Sequence, residues 1–216
     1  MTEPYLTIAN NVENELVIKK SRFICSLKRI SSEDEAKKFI EEISAANRKA
    51  NHNCFAYMVG DKDQIQRESD NGEPSGTAGV PILESLQLAH IHNVLAVVTR
   101  YFGGIKLGAG GLIRAYSNAT TQAIHATGLV QRIKQTVLTI TVPYSLHDSL
   151  LHYLGDNNLD IANEEFSADV QTSIYVDDDV VDEVTVNLTN RFNDQLIIKK
   201  GASRFHEVPF NSSTQG

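Results

Sequence analysis

The sequence predicts an α+β protein of two domains, 1–134 and 135–210, followed by a flexible tail at 211–216. Three observations predict it. From residue 136 the element signals run strand, helix, strand, strand, helix, strand, the split βαβ order of a ferredoxin-like domain. Before residue 135 strands and helices follow another order, ending in a long helix, and this part reads as α/β. The charge changes at the same place. Residues 1–135 carry 16 Lys and Arg against 14 Asp and Glu, and residues 136–205 carry 4 against 12. Such asymmetry between halves marks units with different surfaces.

The first segment reads as strands, "YLTIA" and then "ELVIKKSRFICSLKRI", rich in β-branched and apolar residues. Ser32 with Glu35 fits a capping box, and Ala36, Phe39, Ile40 and Ile43 then recur at helical spacing. "NCFAYMVG" is a strand running into a Gly60-Asp61 turn, and "DQIQRES" is placed to pair with it. "DNGEPSGTAGVP" is dense in turn formers and reads as a long ordered loop, with Pro81 opening a helix that runs to about Ile91. The continuous apolar run "NVLAVVTRYF" suits a strand covered on both faces. A helix from about Gly111 to Thr127 follows, stopped by Gly128, with Ala115, Ala119 and Ala123 on one side for close packing.

In the second domain "TVLTITVPY" is a strand, and Ser145 is the expected cap of the helix "LHDSLLHYL". "LDIANEEFSADVQTSIYV" holds two strands. Asp177, Asp178 and Asp179 are expected to cap a helix over 179–192, since acidic groups favour its positive end. "QLIIKK" is the last strand, and "HEVPFNSSTQG" reads as a polar, poorly ordered tail.

No apolar run reaches the roughly 18 residues of a membrane span. The N-terminus shows no basic stretch followed by an apolar core, and the two cysteines, Cys25 and Cys54, make no disulfide framework. These features predict a cytoplasmic protein with reduced thiols and no membrane partner. The acidic second domain is a poor surface for a polyanion, so nucleic-acid contact belongs to the first.

The segment "RYFGGIKLGAGGLIRAY" (100–116) concentrates five of the thirteen glycines between a strand and a helix, together with Arg100, Lys106 and Arg114. Backbone N–H groups without Cβ crowding, at a helix N-terminus, attract anions. Gly103, Gly104, Gly108, Gly110 and Gly111 are therefore candidate binding residues with the three cations. The alternative is a glycine turn packed on neighbouring backbone, with Arg100 paired to Glu73 or Asp70 so that two loops are held together. The pattern is neither a P-loop, which needs Lys-Ser/Thr, nor a dinucleotide fingerprint, because Ile113 stands at its last glycine.

"GEPSGTAG" (72–79) is not a nucleophile elbow, which needs G-x-S-x-G, so Ser75 and Thr77 are expected to bond nearby backbone. Glu73, Ser75, Gly76 and Thr77 join the candidate binding set. "HNC" (52–54) supplies only two potential ligands, so no metal site and no cofactor is predicted, and Cys54 reads as a small buried hydrophobe.

"NHNCFAY", "SDNGEPSGTAGVPIL" and "VVTRYFGGIKLGAGGLIRAYSNA", in that order, closely resemble the IMPACT family in its bacterial YigZ-type branch. The likeness covers about residues 15–128, and the C-terminal part resembles the family's accessory domain. Asn71 departs from the pattern, since relatives commonly carry Asp there. The resemblance implies an N-terminal domain like the second domain of a small-subunit ribosomal protein, a superfamily that also holds GHMP kinases and a domain of elongation factor G. It implies a C-terminal domain like the ferredoxin-like domains of that elongation factor. Eukaryotic relatives regulate translation under amino-acid starvation by competing for the activator of an initiation-factor kinase. The expectation is a non-enzymatic regulator that binds ribosome, RNA or a translation factor through loops 69–79 and 100–114. The rival is a phosphate- or nucleotide-binding phosphotransferase or hydrolase using the same loops, with Glu73, Asp70 and His52 as its candidate acid–base groups.

Overall fold

The computed structural model describes residues 4–60 and 62–210. Fifteen elements follow one another: β1 (Tyr5–Ile8), β2 (Val12–Ile18), β3 (Ser21–Arg29), α1 (Glu33–Ala46), β4 (His52–Val59), β5 (Ile65–Ser69), α2 (Gly79–Leu88), β6 (Val94–Tyr101), α3 (Ala109–Thr127), β7 (Leu129–Val142), α4 (Tyr144–Asp156), β8 (Ile161–Phe166), β9 (Val170–Asp177), α5 (Val181–Arg191) and β10 (Ile197–Phe210). The described chain divides into two compact units. One is residues 5–132 with 208–210, and the other is 133–207 with Pro4.

The first unit is built on an antiparallel sheet in the order β2-β3-β6-β4-β5. β6 lies at its centre and is buried from Val94 to Arg100, as a strand covered on both faces must be. One face packs against α2 and α3, where Tyr116 and Ala115, Ala119 and Ala123 are sealed against Phe23, Cys25 and Val98. Alanines let the α3 backbone come close to the sheet. The other face packs Leu95, Val97 and Tyr57 against Ala36, Phe39, Ile40 and Ile43 of α1. Helix α1 starts as its sequence predicts, with Ser32 Oγ accepting from the Glu35 N–H at 3.2 Å. Glu35 reaches back one residue further, to the Ser31 N–H at 2.7 Å. Pro81 is the third helical residue of α2, not the first. It still costs nothing there, because the first backbone bond of the helix runs from Ile82 N–H to the Ala78 carbonyl.

The second unit has the strand order of a ferredoxin-like fold: β8 beside β9, β9 beside β7, and β10 on the other side of β7. Leu138, Ile140, Val170 and Ile174 of the sheet close a core with Leu150 and Leu154 of α4 and Leu188 of α5. The mixed α+β architecture and the two-domain arrangement read from the sequence are thus present.

Four local expectations are corrected. Helix α4 begins at Tyr144 with Pro143 at the N-cap, so Ser145 lies inside the helix and caps nothing. Asp177 and Asp178 do not cap α5. Gln135 donates to Asp177, and Thr136 with Lys134 holds Asp178, which tie the end of β9 to β7. Residues 206–210 belong to β10 and not to a tail. Ser75 makes no hydrogen bond among the described residues, whereas Thr77 Oγ1 donates to the Pro74 carbonyl at 2.6 Å. Asp61 and the tail at 211–216 lie outside the described residues.

Candidate functional site

Strand register sets the floor of the site. Phe23, Arg100 and His52 stand directly opposite one another on β3, β6 and β4, so they share a face of the sheet. Two residues along, Cys25, Val98 and Cys54 form the next row on that face. Helix α3 lies over these rows, with Tyr116 edge-on to Phe23 at 5.3 Å between ring centroids.

The loop between β5 and α2 supplies the wall, and Asp70 shapes it. One Asp70 carboxylate oxygen accepts from the N–H groups of Ala78 and Gly79, each at 2.9 Å, and the other from Gly76 at 2.7 Å. Asp70 therefore caps α2 and folds the intervening turn. Burial raises its pKa, but the bonds from Gly76, Gly79 and Ala78 outweigh that and hold the carboxyl below the usual range. The turn carries Glu73 inward to 9% exposure.

Glu73 Oε1 accepts from Arg100 Nη1 at 2.5 Å and from the Tyr116 hydroxyl at 2.8 Å. The expected pairing of Arg100 with one of the two acids is thus made with Glu73. The guanidinium lies between the Phe23 and Phe102 rings, 5.2 and 5.5 Å from their centroids. Arg100 is 5% exposed, and its Nε has no hydrogen-bond partner. His52 Nδ1 lies 2.9 Å from the Asn71 carbonyl, which can only accept, so that nitrogen carries a proton. His52 Nε2 then faces Glu73 Oε1 at 3.9 Å.

Cys54 is fully buried, its Sγ 2.9 Å from the Asp70 carbonyl and 3.3 Å from the Tyr116 hydroxyl. Burial, reinforced by the Glu73 and Asp70 carboxylates, pushes this thiol up to about 12. It is a neutral thiol at any physiological pH and not an activated nucleophile. Burial beside Cys54 and Glu73 likewise raises the Tyr116 phenol, which stays a donor.

Above this network lies a cleft of about 440 Å³, lined by His52, Glu73, Arg100, Phe102, Lys106 and Gly108, with Asn51, Pro74, Leu107, Ala109 and Leu112 completing it. Four of the predicted binding residues, Glu73, Arg100, Lys106 and Gly108, therefore meet at one place. Gly110 and Gly111 follow in the first turn of α3, and the Arg114 guanidinium lies over Gly110. Ser75, Gly76, Thr77, Gly103 and Gly104 do not line the cleft. Gly103 is there for packing. A Cβ at that position would sit 2.0 Å from the Lys20 carbonyl carbon, in the turn between β2 and β3. Sequence reasoning left out Asn51, Phe102, Leu107 and Leu112, which reach the site through the loop path and the helix register. Asn51 was legible only as a turn residue, yet it accepts from the Phe102 N–H at 2.8 Å and fixes where the glycine loop leaves β6.

Residues 19–124 match the model of the Impact N-terminal domain, and residues 140–195 match a domain of unknown function, DUF1949. The IMPACT family member YvyE of Bacillus subtilis is 39% identical over 98% of this chain and 97% of its own length. The chain belongs to the IMPACT family. YigZ of Escherichia coli, another member, is 37% identical over 70% of this chain and 75% of its own. The Protein IMPACT of Rattus norvegicus shares 32% identity, over 42% of this chain and 29% of its length. A crystal structure titled as that of an hypothetical protein superimposes with a TM-score of 0.61 at 32% identity, covering 94% of this chain and 99% of that one. Asn71, the departure noted in the family pattern, is a structural residue here. It sits at φ +43°, which Asn tolerates, and its Oδ1 accepts from the Asn53 N–H at 2.8 Å. A carboxylate oxygen could accept the same bond.

Proposed function

We propose that this IMPACT family member is a non-enzymatic cytoplasmic regulator associated with translation, binding ribosome, RNA or a translation factor through the cleft between loops 69–79 and 100–114. The observation that carries the reading is the pairing of an open helix start with fixed cations. Helix α3 has no side-chain cap and no acidic residue in its first turn, and Lys106 and Arg100 line the cleft beside it. An uncapped start attracts anionic groups. The groups that a hydrolase or transferase would use are committed elsewhere. Glu73 is bonded to Arg100 and Tyr116, and the Cys54 thiol is pushed up to about 12.

The test is ribosome pelleting from lysate across a salt series. Wild-type protein is expected in the pellet at low salt and to leave it as salt rises. Lys106→Glu is expected to abolish retention while leaving the melting temperature within a degree or so, since Lys106 is exposed and makes no ion pair. Wild-type protein that pellets with neither ribosome nor RNA at low salt overturns the reading.

A further inference from the structure

Resting on that reading, we infer that the cleft takes a terminal phosphate, a phosphomonoester dianion carried on a nucleotide-sized body, rather than the internal phosphates of a nucleic-acid backbone. Three observations converge. The first intrahelical bond of α3 runs from the Leu112 N–H to the Gly108 carbonyl, which leaves the N–H groups of Ala109, Gly110 and Gly111 without intrahelical acceptors. Arg100 lines the same cleft, nine-tenths buried, with an Nε–H that has no acceptor. A buried orphan donor of that kind is rare and marks a place for an acceptor. Gly110, third, has no packing reason to be glycine. A Cβ there would meet only Arg114 Nη1, at 3.8 Å. It would tilt toward the helix N-terminus, over the bare amides.

The charge and the shape choose the ligand. Arg100, Lys106 and the helix end outweigh the single Glu73 carboxylate, and a dianion gains more from that balance than a diester monoanion. A polymer backbone needs an open track, whereas about 440 Å³ is the size of a site for one small ligand. Phe102, 45% exposed, with Pro74, Leu107 and Leu112, offers apolar surface to the body that bears the phosphate. A free 5′-nucleotide and the 5′-terminal nucleotide of an RNA share this chemistry.

The experiment is a set of calorimetric titrations of the full chain at low salt with AMP, adenosine, inorganic phosphate, and a uridine decamer bearing either a 5′-phosphate or a 5′-hydroxyl. AMP or the 5′-phosphorylated decamer is expected to bind at least about tenfold more tightly than its unphosphorylated counterpart. AMP binding alone points to a free nucleotide, and a preference confined to the decamer points to an RNA end. Gly110→Ala is expected to weaken the phosphorylated probe by about tenfold while melting no lower than wild type, because alanine is the better helix former. If neither phosphorylated probe outbinds its counterpart, or if Gly110→Ala leaves the binding intact, the inference is overturned. In that event, equal salt-sensitive binding of both decamers retains the proposed RNA contact through internal phosphates, and decamers that do not bind remove the RNA reading as well.

Discussion

Removing the Arg100 side chain leaves the Glu73 carboxylate almost wholly buried, with only the Tyr116 hydroxyl as a close partner and His52 at 3.9 Å. Breaking a buried pair in this way costs about 3–5 kcal/mol, because the remaining charge is neither solvated nor paired. Arg100→Ala is therefore expected to lower the urea midpoint strongly. Glu73→Gln is expected to cost less, since an amide oxygen can still accept from Arg100 and Tyr116. Equal midpoints for Arg100→Ala and wild type contradict this account. The pairing itself was half legible. The sequence places one cation at the end of a buried strand and two acids in a loop rich in turn formers. Nothing in it says that Asp70 is consumed by capping α2, which leaves Glu73 to meet Arg100. Gly103 was misread for a related reason. Its neighbour, the β2–β3 turn, uses Lys19 and Lys20 at φ +45° and +65°, and lysine carries no turn signal that would place that backbone against the glycine loop.

Helices in this chain begin by several routes, and only those written locally could be read ahead. Ser32 and Glu35 announce α1 within one turn of sequence. Helix α2 is capped by Asp70, eight residues before its N-cap Ala78, so the cap exists only once β5 and the turn are in place. Helix α4 takes Pro143 at its N-cap, where the fixed φ of proline substitutes for a side-chain cap. The long-range cap carries a pH signature. The folded-state pKa of Asp70 is lowered, so its stabilisation is present above the unfolded value of about 4 and lost as pH falls through the folded value. Asp70→Asn is expected to destabilise the protein by about 0.5–2 kcal/mol at pH 7, as loss of a cap does. The deficit should shrink as the pH falls below about 4, where wild type loses its own carboxylate. Thermal melts of both proteins from pH 7 to pH 3 check this. A deficit that stays constant over that range would show that Asp70 acts by shape and not by charge.

Across the whole molecule, charge separates the two units as the sequence said it would. The second unit carries 4 Lys and Arg against 12 Asp and Glu over residues 136–205, while the cations of the cleft lie on residues 100–114 of the first. Lys199 and Lys200 are exposed on β10. They form the one local basic pair of the second unit, but Lys200 is already engaged by Asp182 at 2.5 Å. The field around them is acidic, and a polyanion gains nothing by approaching it. Each phosphate contact adds about one unit to the slope of log affinity against log salt. In the intact chain, the Lys199→Glu, Lys200→Glu double variant is therefore expected to leave both the affinity for ribosomal RNA and its salt slope unchanged. Lys106→Glu is expected to weaken binding and to flatten the slope by about one. A double variant that flattens the slope as much as Lys106→Glu does would place the nucleic-acid contact on the second unit, against the charge distribution that separates the two.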